Sequence, residues 1–478
     1  MDVRSLRRGQ TRSITSTVGR LVATALAVGL AVLSVGTGVV AASNVVAGLS
    51  GSGGDVSVPT WLYLATGGGV IGASALLTML VTDREVIDGY HDGSALFSLE
   101  AIRGAGSLVF GTVGIAALSF VVVVGLVGPR LGSLSAAVLL TFVGVRSVLT
   151  IVAYAVGSPW RAINPWRRIA SVLPNGYLSY PSGLDAWPAV AALLAFVWLE
   201  LVAPLTSSSR ALVAVVLGYS VLTIAGGVAF SPETWFRRAD PLSVWFRLYG
   251  AVAPIQRTDD GLEIRPPGAR LSDNDLVTDR STVAFVLALI WELTYSGFVV
   301  TPPGVATVET LVGVGVPPAL VYLGLLVAGF VLFYRVYLYA VDRTRELAET
   351  YVSQRYLAVR YAPPLLAIAA GYHFAHYVGF SISLWPSLVD TMAAPLSPPS
   401  NPTVLALPPW FGYVEIVGIL LGHALAVWIA HTVSFELFPG RLQAIRSQYP
   451  LIVVMIFFTI VSLYLVSLPT VSPPYVPG

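Results

Sequence analysis

The sequence has no cysteine, which excludes disulfides, thiolate catalysis and cysteine-ligated zinc or iron–sulfur centres. Lysine is absent as well, and all 27 basic residues are arginine. Charge is scarce: 11% of residues are charged, against roughly 25% in soluble domains, so the chain falls outside the soluble globular class. The formal net charge of +2 gives no reason to expect a nucleic-acid partner. No HExxH or HxH pattern, G-x-S-x-G elbow, P-loop or dinucleotide fingerprint occurs in a suitable context. No internal repeat is evident, which leaves an inverted-repeat transporter architecture unsupported.

What the chain does have is apolar length. Hydrophobic residues make up 55% of its 478 positions, gathered in runs of about 20 residues, the length that spans a bilayer as a helix. Eleven such segments are read near 20–42, 60–82, 105–127, 133–155, 186–204, 209–229, 281–300, 317–340, 362–385, 410–434 and 450–469. The fold class expected is all-α, a polytopic transmembrane bundle of 10–11 helices. Residues 1–57 form a basic leader with an anchor or signal segment, and 58–478 form the bundle. The apolar stretch at 20–42 is longer than the core of a typical signal peptide, which favours a retained anchor; cleavage would leave ten spans.

Arginine placement sets the orientation. With the N-terminus in the cytoplasm, Arg4, Arg7, Arg8 and Arg12, the Trp160–Arg168 loop, the 231–280 connection, Arg343–Arg360, Arg441 and Arg446 all lie inside. Only Arg130 and Arg210 fall in external loops, as the positive-inside rule requires. The chain is thus expected in the cell membrane, with the lipid bilayer as its one clear partner and its C-terminus outside. In the 231–280 connection, Asp240-Pro241 reads as an N-cap and first helical position. A short amphipathic helix carrying Trp245 and Tyr249 is expected to follow at the membrane surface, with its aromatics at headgroup depth. Asp260-Gly261 marks a hairpin between Ile255–Arg257 and Leu262–Arg265. The external connection, Pro386 to Pro409, is expected to be an irregular cap.

Ionisable residues inside a bilayer are costly, face the bundle interior and mark substrate paths, relays or structural pairs. Arg146, Glu292, His373, His376 and His423 lie within roughly 5 Å of their span centres, with Glu200 and Glu415 about 7–11 Å toward the outside. His431 lies near the inner end of its helix, and with His91 reads as solvated or interfacial. His373 and His376 share one helix face. His423 on the next helix could complete a three-histidine site for a divalent metal with an open position. Glu292 or Glu200 would then act on the metal-bound water. Gly371 with Ala375, and Gly418 with Gly422, allow those two helices to approach closely. Three readings stay open: this metal site, a proton or ion relay through Glu292, His423 and Arg146, and a buried ion pair of Arg146 with Glu292 or Glu200 that only fixes helix register, with each histidine bonded to a backbone carbonyl or to Tyr372 or Tyr377. A scaffold that binds a partner through 231–280 fits the last of these.

Several stretches carry a family resemblance. Asn164-Pro165-Trp166-Arg167, Trp198-Leu199-Glu200-Leu201-Val202, Ala375-His376-Tyr377, Gly422-His423-Ala424 and Arg446-Ser447-Gln448-Tyr449 resemble a family of multi-pass membrane proteins known as fenitrothion hydrolases. Val58–Leu62 and the Ala253–Arg265 hairpin fit as well, so the likeness covers about Val58 to Leu465 as short islands. It implies a membrane hydrolase acting on a phosphotriester bond, with Glu200, His376, His423 and His431 as the matching positions. His373 has no counterpart in that pattern.

Overall fold

A computed structural model describes residues 60–98, 103–258, 261–408 and 410–476. The leader, the 20–42 segment and Asp260 of the expected hairpin turn lie outside the described residues. The helices and strands run in the order α1 (Thr60–Met79), α2 (Arg84–Gly89), β1 (Ser94–Ser98), α3 (Arg103–Val127), α4 (Ala136–Ala155), α5 (Trp160–Ile163) and α6 (Pro165–Val172). There follow α7 (Trp187–Val202), α8 (Ser209–Phe230), α9 (Pro232–Arg238), α10 (Pro241–Gly250), β2 (Ile255–Arg257), β3 (Gly261–Ile264), α11 (Arg280–Val299) and α12 (Pro302–Gly313). The chain ends with α13 (Pro318–Leu347), α14 (Gln354–Tyr361), α15 (Leu365–Ala393), α16 (Phe411–Leu437) and α17 (Arg441–Ser467).

Among the described residues, 8 helices are long and apolar enough to cross a membrane: α3, α4, α8, α11, α13, the joined α14–α15, α16 and α17. Two of the expected spans appear as shorter apolar helices, α7 and the Gly67–Met79 part of α1. A helix is the form that satisfies every backbone N–H and C=O within one segment, which lipid demands. α11 and α15 form the centre: every residue from Val283 to Leu289 on α11 is fully buried. α3 and α13 lie at the rim, with Leu108, Val109, Leu320 and Leu332 turned outward.

The seam between α15 and α16 depends on the small residues expected there. A Cβ on Gly371 would stand 2.5 Å from the Gly418 carbonyl oxygen and 2.9 Å from the Gly422 Cα. The two backbones therefore touch, and no larger residue fits without moving a helix.

Three local expectations are corrected. Pro386 does not end its helix: α15 runs through it to Ala393. The chain beyond folds back along it, with Ser387 Oγ donating to the Thr403 carbonyl at 2.6 Å and Ser383 Oγ to the Leu405 carbonyl at 2.7 Å. In return Leu405 N donates to the Ser383 carbonyl at 2.9 Å, a bond to the helix backbone beside Pro386 of the kind that makes proline tolerable inside a membrane helix. α17 likewise begins at Arg441 and contains Pro450, where the span was expected to start. The third correction concerns α10. Asp240 does cap it, accepting from Ser243 N at 2.8 Å, and Pro241 is its first residue. Its aromatics are not presented at a surface, however; Trp245 and Tyr249 are packed inside the protein, 4% and 0% exposed. Apolar residues surround the helix on most sides, so burial wins over a surface position.

The expected strands β2 and β3 pair antiparallel, with Gln256 opposite Glu263. β1, which was not foreseen, adds to the free edge of β3 to give the order β1-β3-β2.

Candidate functional site

The central feature is built on a helix defect. From Leu140 to Leu149, α4 is wound as a π-helix. Such turns are rare and are frequently found at functional sites. Arg146 projects from this stretch into the bundle. Its Nη2 lies 3.2 Å from Glu200 Oε2 of α7 and 3.3 Å from Glu292 Oε2 of α11. Its Nε donates to the Tyr377 hydroxyl of α15 at 2.9 Å, and the guanidinium carbon sits 5.3 Å from that ring's centroid. One guanidinium thus ties four helices together.

Both candidate ion pairs to Arg146 are made at once. Glu200, expected toward the outer side of its span, is still within reach of the same guanidinium. Glu292 is fully buried, and its Oε1 has no hydrogen-bond partner among the described residues. Burying an unpaired carboxylate oxygen is costly.

His373 is enclosed by aromatic rings. Tyr377 stacks on it at 4.5 Å, and Tyr154, Tyr249 and Trp245 close the other sides at 5.7, 5.6 and 6.2 Å. Its Nε2 donates to the Arg146 carbonyl at 3.2 Å, so its Nδ1 is left to accept from the Tyr154 hydroxyl at 3.4 Å. Both nitrogens are therefore engaged and none presents a lone pair to an ion. His423 donates from Nδ1 to the Ile419 carbonyl on its own helix at 2.9 Å, and its Nε2 has no partner. Both nitrogens of His376 are buried and unpartnered. Its Nε2 would be 3.7 Å from a Cβ placed on Gly297, so that glycine leaves room beside the ring.

Among the described residues, no group of three or more His, Cys, Asp or Glu side chains is placed to hold a metal ion. The expected convergence of His373, His376 and His423 on one ion is not seen. The residues present do not fit a three-ligand metal centre, since His373 has no free nitrogen and turns toward α4.

The remaining candidates are dispersed. Glu415 is buried, with Oε1 about where a side chain on Gly379 would collide, at 3.1 Å from its Cβ. His431 is not solvated: it is fully buried, with Nε2 donating to the Val81 carbonyl at 2.7 Å and Nδ1 3.1 Å from Gln448 Oε1. His91 is partly buried between Ser272 Oγ at 2.9 Å and Glu436 Oε1 at 3.4 Å.

Sequence reasoning missed Tyr154, Trp245 and Tyr249 as parts of the site, and it offered Tyr377 as a hydrogen-bond partner for a histidine, not as the hydroxyl that accepts from Arg146. The helical spacing of Trp245 and Tyr249 was visible, but nothing in it showed that α10 would enter the bundle. The cap that starts α10 is itself buried. Burial pushes the Asp240 carboxyl up from its ordinary range, while hydrogen bonds from Tyr219, Ser243 and Thr223 oppose the rise. On the same helix, burial and then the nearby Arg237 and Arg270 lower Arg247 to about 10.

Membrane-length apolar helices around a buried network of ion pairs define a polytopic α-helical membrane protein. Comparison with profiles of protein families, with curated proteins and with solved structures gives no match, so the likeness to fenitrothion hydrolases rests on its sequence islands alone.

Proposed function

We propose that the chain is a proton- or cation-coupled membrane transporter whose working centre is Glu200–Arg146–Glu292. The observation that carries this reading is the charge count at that centre: one guanidinium faces two carboxylates inside the bundle. With both acids ionised the centre is one charge negative, and a low-dielectric interior disfavours that state unless a cation joins it. A proton or monovalent cation supplies the missing charge, and the unpartnered Glu292 Oε1 is where it attaches. Loading Glu292 leaves Arg146 paired with Glu200 alone; release returns the guanidinium to both acids. Such a change in pairing among α4, α7 and α11 is a means to couple charge movement to helix movement.

The test is charge flux in proteoliposomes loaded with a pH-sensitive dye under an imposed membrane potential. Glu292→Gln is expected to abolish potential-driven, pH-dependent flux while the protein still inserts and folds. Unchanged flux in that variant overturns the reading.

A second reading keeps the hydrolase implied by the sequence islands. One observation favours it, the two unpartnered nitrogens of His376. That reading would need a metal held by fewer protein ligands than the three expected, with His376 and the free Nε2 of His423 as the remaining candidates, and the metal would supply activated water. Metal analysis of the purified chain, with and without His376→Ala, separates the two; sub-stoichiometric metal in the parent removes this one.

A further inference from the structure

We propose that the face formed by the start of α3 with α5, α6 and α9 binds one anionic phospholipid. The inference is independent of the transport reading and concerns a different part of the molecule.

The face is built from a docked arginine loop. Gly114 of α3 admits the Ile163 carbonyl, which would lie 1.7 Å from a Cβ there, so the loop carrying α5 and α6 seats directly on the α3 backbone. One turn earlier, the Arg168 stem crosses Gly111, with its Cδ and Nε 3.3 Å from where a Cβ would stand. The loop is held rigid from beneath. Trp166 Nε1 donates to Ser220 Oγ at 2.7 Å, Trp160 stacks on Phe246 at 4.5 Å, and Asn164 caps α6 by accepting from Arg167 N at 2.9 Å. Arginines are thereby presented on a fixed frame.

Their charge is under-compensated. Arg161 and Arg167 share a single carboxylate, Glu233 of α9, with Arg161 Nη2 3.8 Å from Oε1 and Arg167 hydrogen-bonded to Oε2. Arg168 follows Arg167 in α6 with no carboxylate partner among the described residues, and Arg237 and Arg238 are exposed at the end of α9, the helix that carries Glu233. Guanidinium groups in excess favour phosphate oxygens, which they bind bidentately.

Directly alongside, α3 turns apolar side chains outward. Leu108, Val109, Phe110 and Val113 are 60, 60, 50 and 55% exposed, on a helix long and apolar enough to cross the membrane. Gly111, where Arg168 rests, lies among these residues near the start of that span. A cationic cluster adjoining a hydrocarbon-facing stripe matches a molecule with a phosphate head and acyl tails. Free phosphate would use only the first half of this surface, and a zwitterionic lipid would return part of the charge.

The experiment uses the full chain purified in detergent. Dioleoyl phosphatidylglycerol and dioleoyl phosphatidylcholine are titrated separately, with retained lipid read by native mass spectrometry and thermal stability read in parallel. Phosphatidylglycerol is expected to remain bound and raise the unfolding temperature, with the gain shrinking as salt rises. Arg168→Gln alone should weaken binding about fivefold, and Arg161→Gln with Arg168→Gln by a further similar factor. Arg161 is exposed and Arg168 half-buried, and glutamine keeps the part of the stem that rests on Gly111, so the unliganded unfolding temperature should stay near that of the parent. Equal retention of the two lipids overturns the proposal, as does unaltered phosphatidylglycerol binding in both variants. Competition by inorganic phosphate as effective as that of the lipid also overturns it, since the acyl surface would then contribute nothing.

Discussion

Arg146 reaches Glu292 at 3.3 Å while its Nε is taken by Tyr377, so the one charged residue of α4 is committed to α11 and α15 together. The relationship has an energetic consequence. Removing one partner of a buried pair leaves the other charge uncompensated, at a typical cost of ~3–5 kcal/mol, whereas removing both is much milder. Arg146→Met is therefore expected to cost stability on this scale, and most of the loss to be recovered only when Glu200→Gln and Glu292→Gln are added together, since either acid left alone still lacks its cation. Unfolding in a mild detergent, followed by tryptophan fluorescence, measures each variant. Strictly additive losses would show that the pair does not interact.

How much of this was legible in the sequence depends on the kind of information. Segment positions were, because twenty apolar residues between arginine-bearing loops have few other uses. The Arg146–Glu292 and Arg146–Glu200 pairs were foreseen, because lipid leaves a guanidinium and two acids little choice but each other. The Gly371–Gly418–Gly422 contact was foreseen from spacing. Side-chain direction was less accessible. His373 and His376 share a face by arithmetic, yet the stack of His373 on Tyr377 and its bond to the Arg146 carbonyl draw it toward α4. The π-wound stretch of α4 leaves no mark in the residue pattern, since it is fixed by packing and not by local preference. α10 read as interfacial because amphipathicity alone does not distinguish a bilayer surface from a crevice between helices.

The start of α11 offers a prediction outside the span. Asp279 caps it, accepting from Ser281 N at 2.9 Å and Thr282 N at 3.0 Å. Burial alone would raise its carboxyl, but hydrogen bonds from Ser281, Thr282 and Thr278 outweigh burial and hold it below the ordinary aspartate range. A lowered folded-state value means that the ionised cap stabilises the fold above the unfolded value near ~4 and is lost as pH falls through the folded one. Asp279→Ala should cost ~1 kcal/mol at pH 7. The gap between parent and variant should then close as the pH drops below ~4. A gap that stays constant down to acid pH would show that the charge contributes nothing.

The helix seam gives a steric prediction. A Cβ on Gly371 would enter the Gly418 carbonyl at 2.5 Å, and backbone on both sides cannot yield as a side-chain tip would. Gly371→Ala should destabilise by ~1–3 kcal/mol, and Gly371→Val should prevent accumulation of folded protein. Gly313→Ala, where a Cβ meets nothing within 4 Å, is the control and should be neutral or slightly stabilising. Equal behaviour of Gly371→Ala and the control would mean that α15 and α16 are not in backbone contact.

The insertion of α10 makes the last prediction. Trp245 Nε1 donates to Thr150 Oγ1 at 3.2 Å, where α4 returns to ordinary α-helical winding after its π stretch, and the same indole lies edge-on to His373. The bond therefore ties α10 to the helix that carries Arg146. Trp245→Phe keeps an aromatic ring in place and loses the donor, while Thr150→Val keeps the volume and loses the acceptor. Each leaves one buried polar atom unpaired or removes one hydrogen bond, for ~1–2 kcal/mol. Because both changes break the same bond, the double variant should be little worse than either single one, with a coupling of ~1 kcal/mol. Trp245→Ala, which also empties the space beside His373, should cost ~3–5 kcal/mol. Additivity between Trp245→Phe and Thr150→Val would detach α10 from α4. A Trp245→Ala variant as stable as the parent would return α10 to the membrane surface, where its sequence alone had placed it.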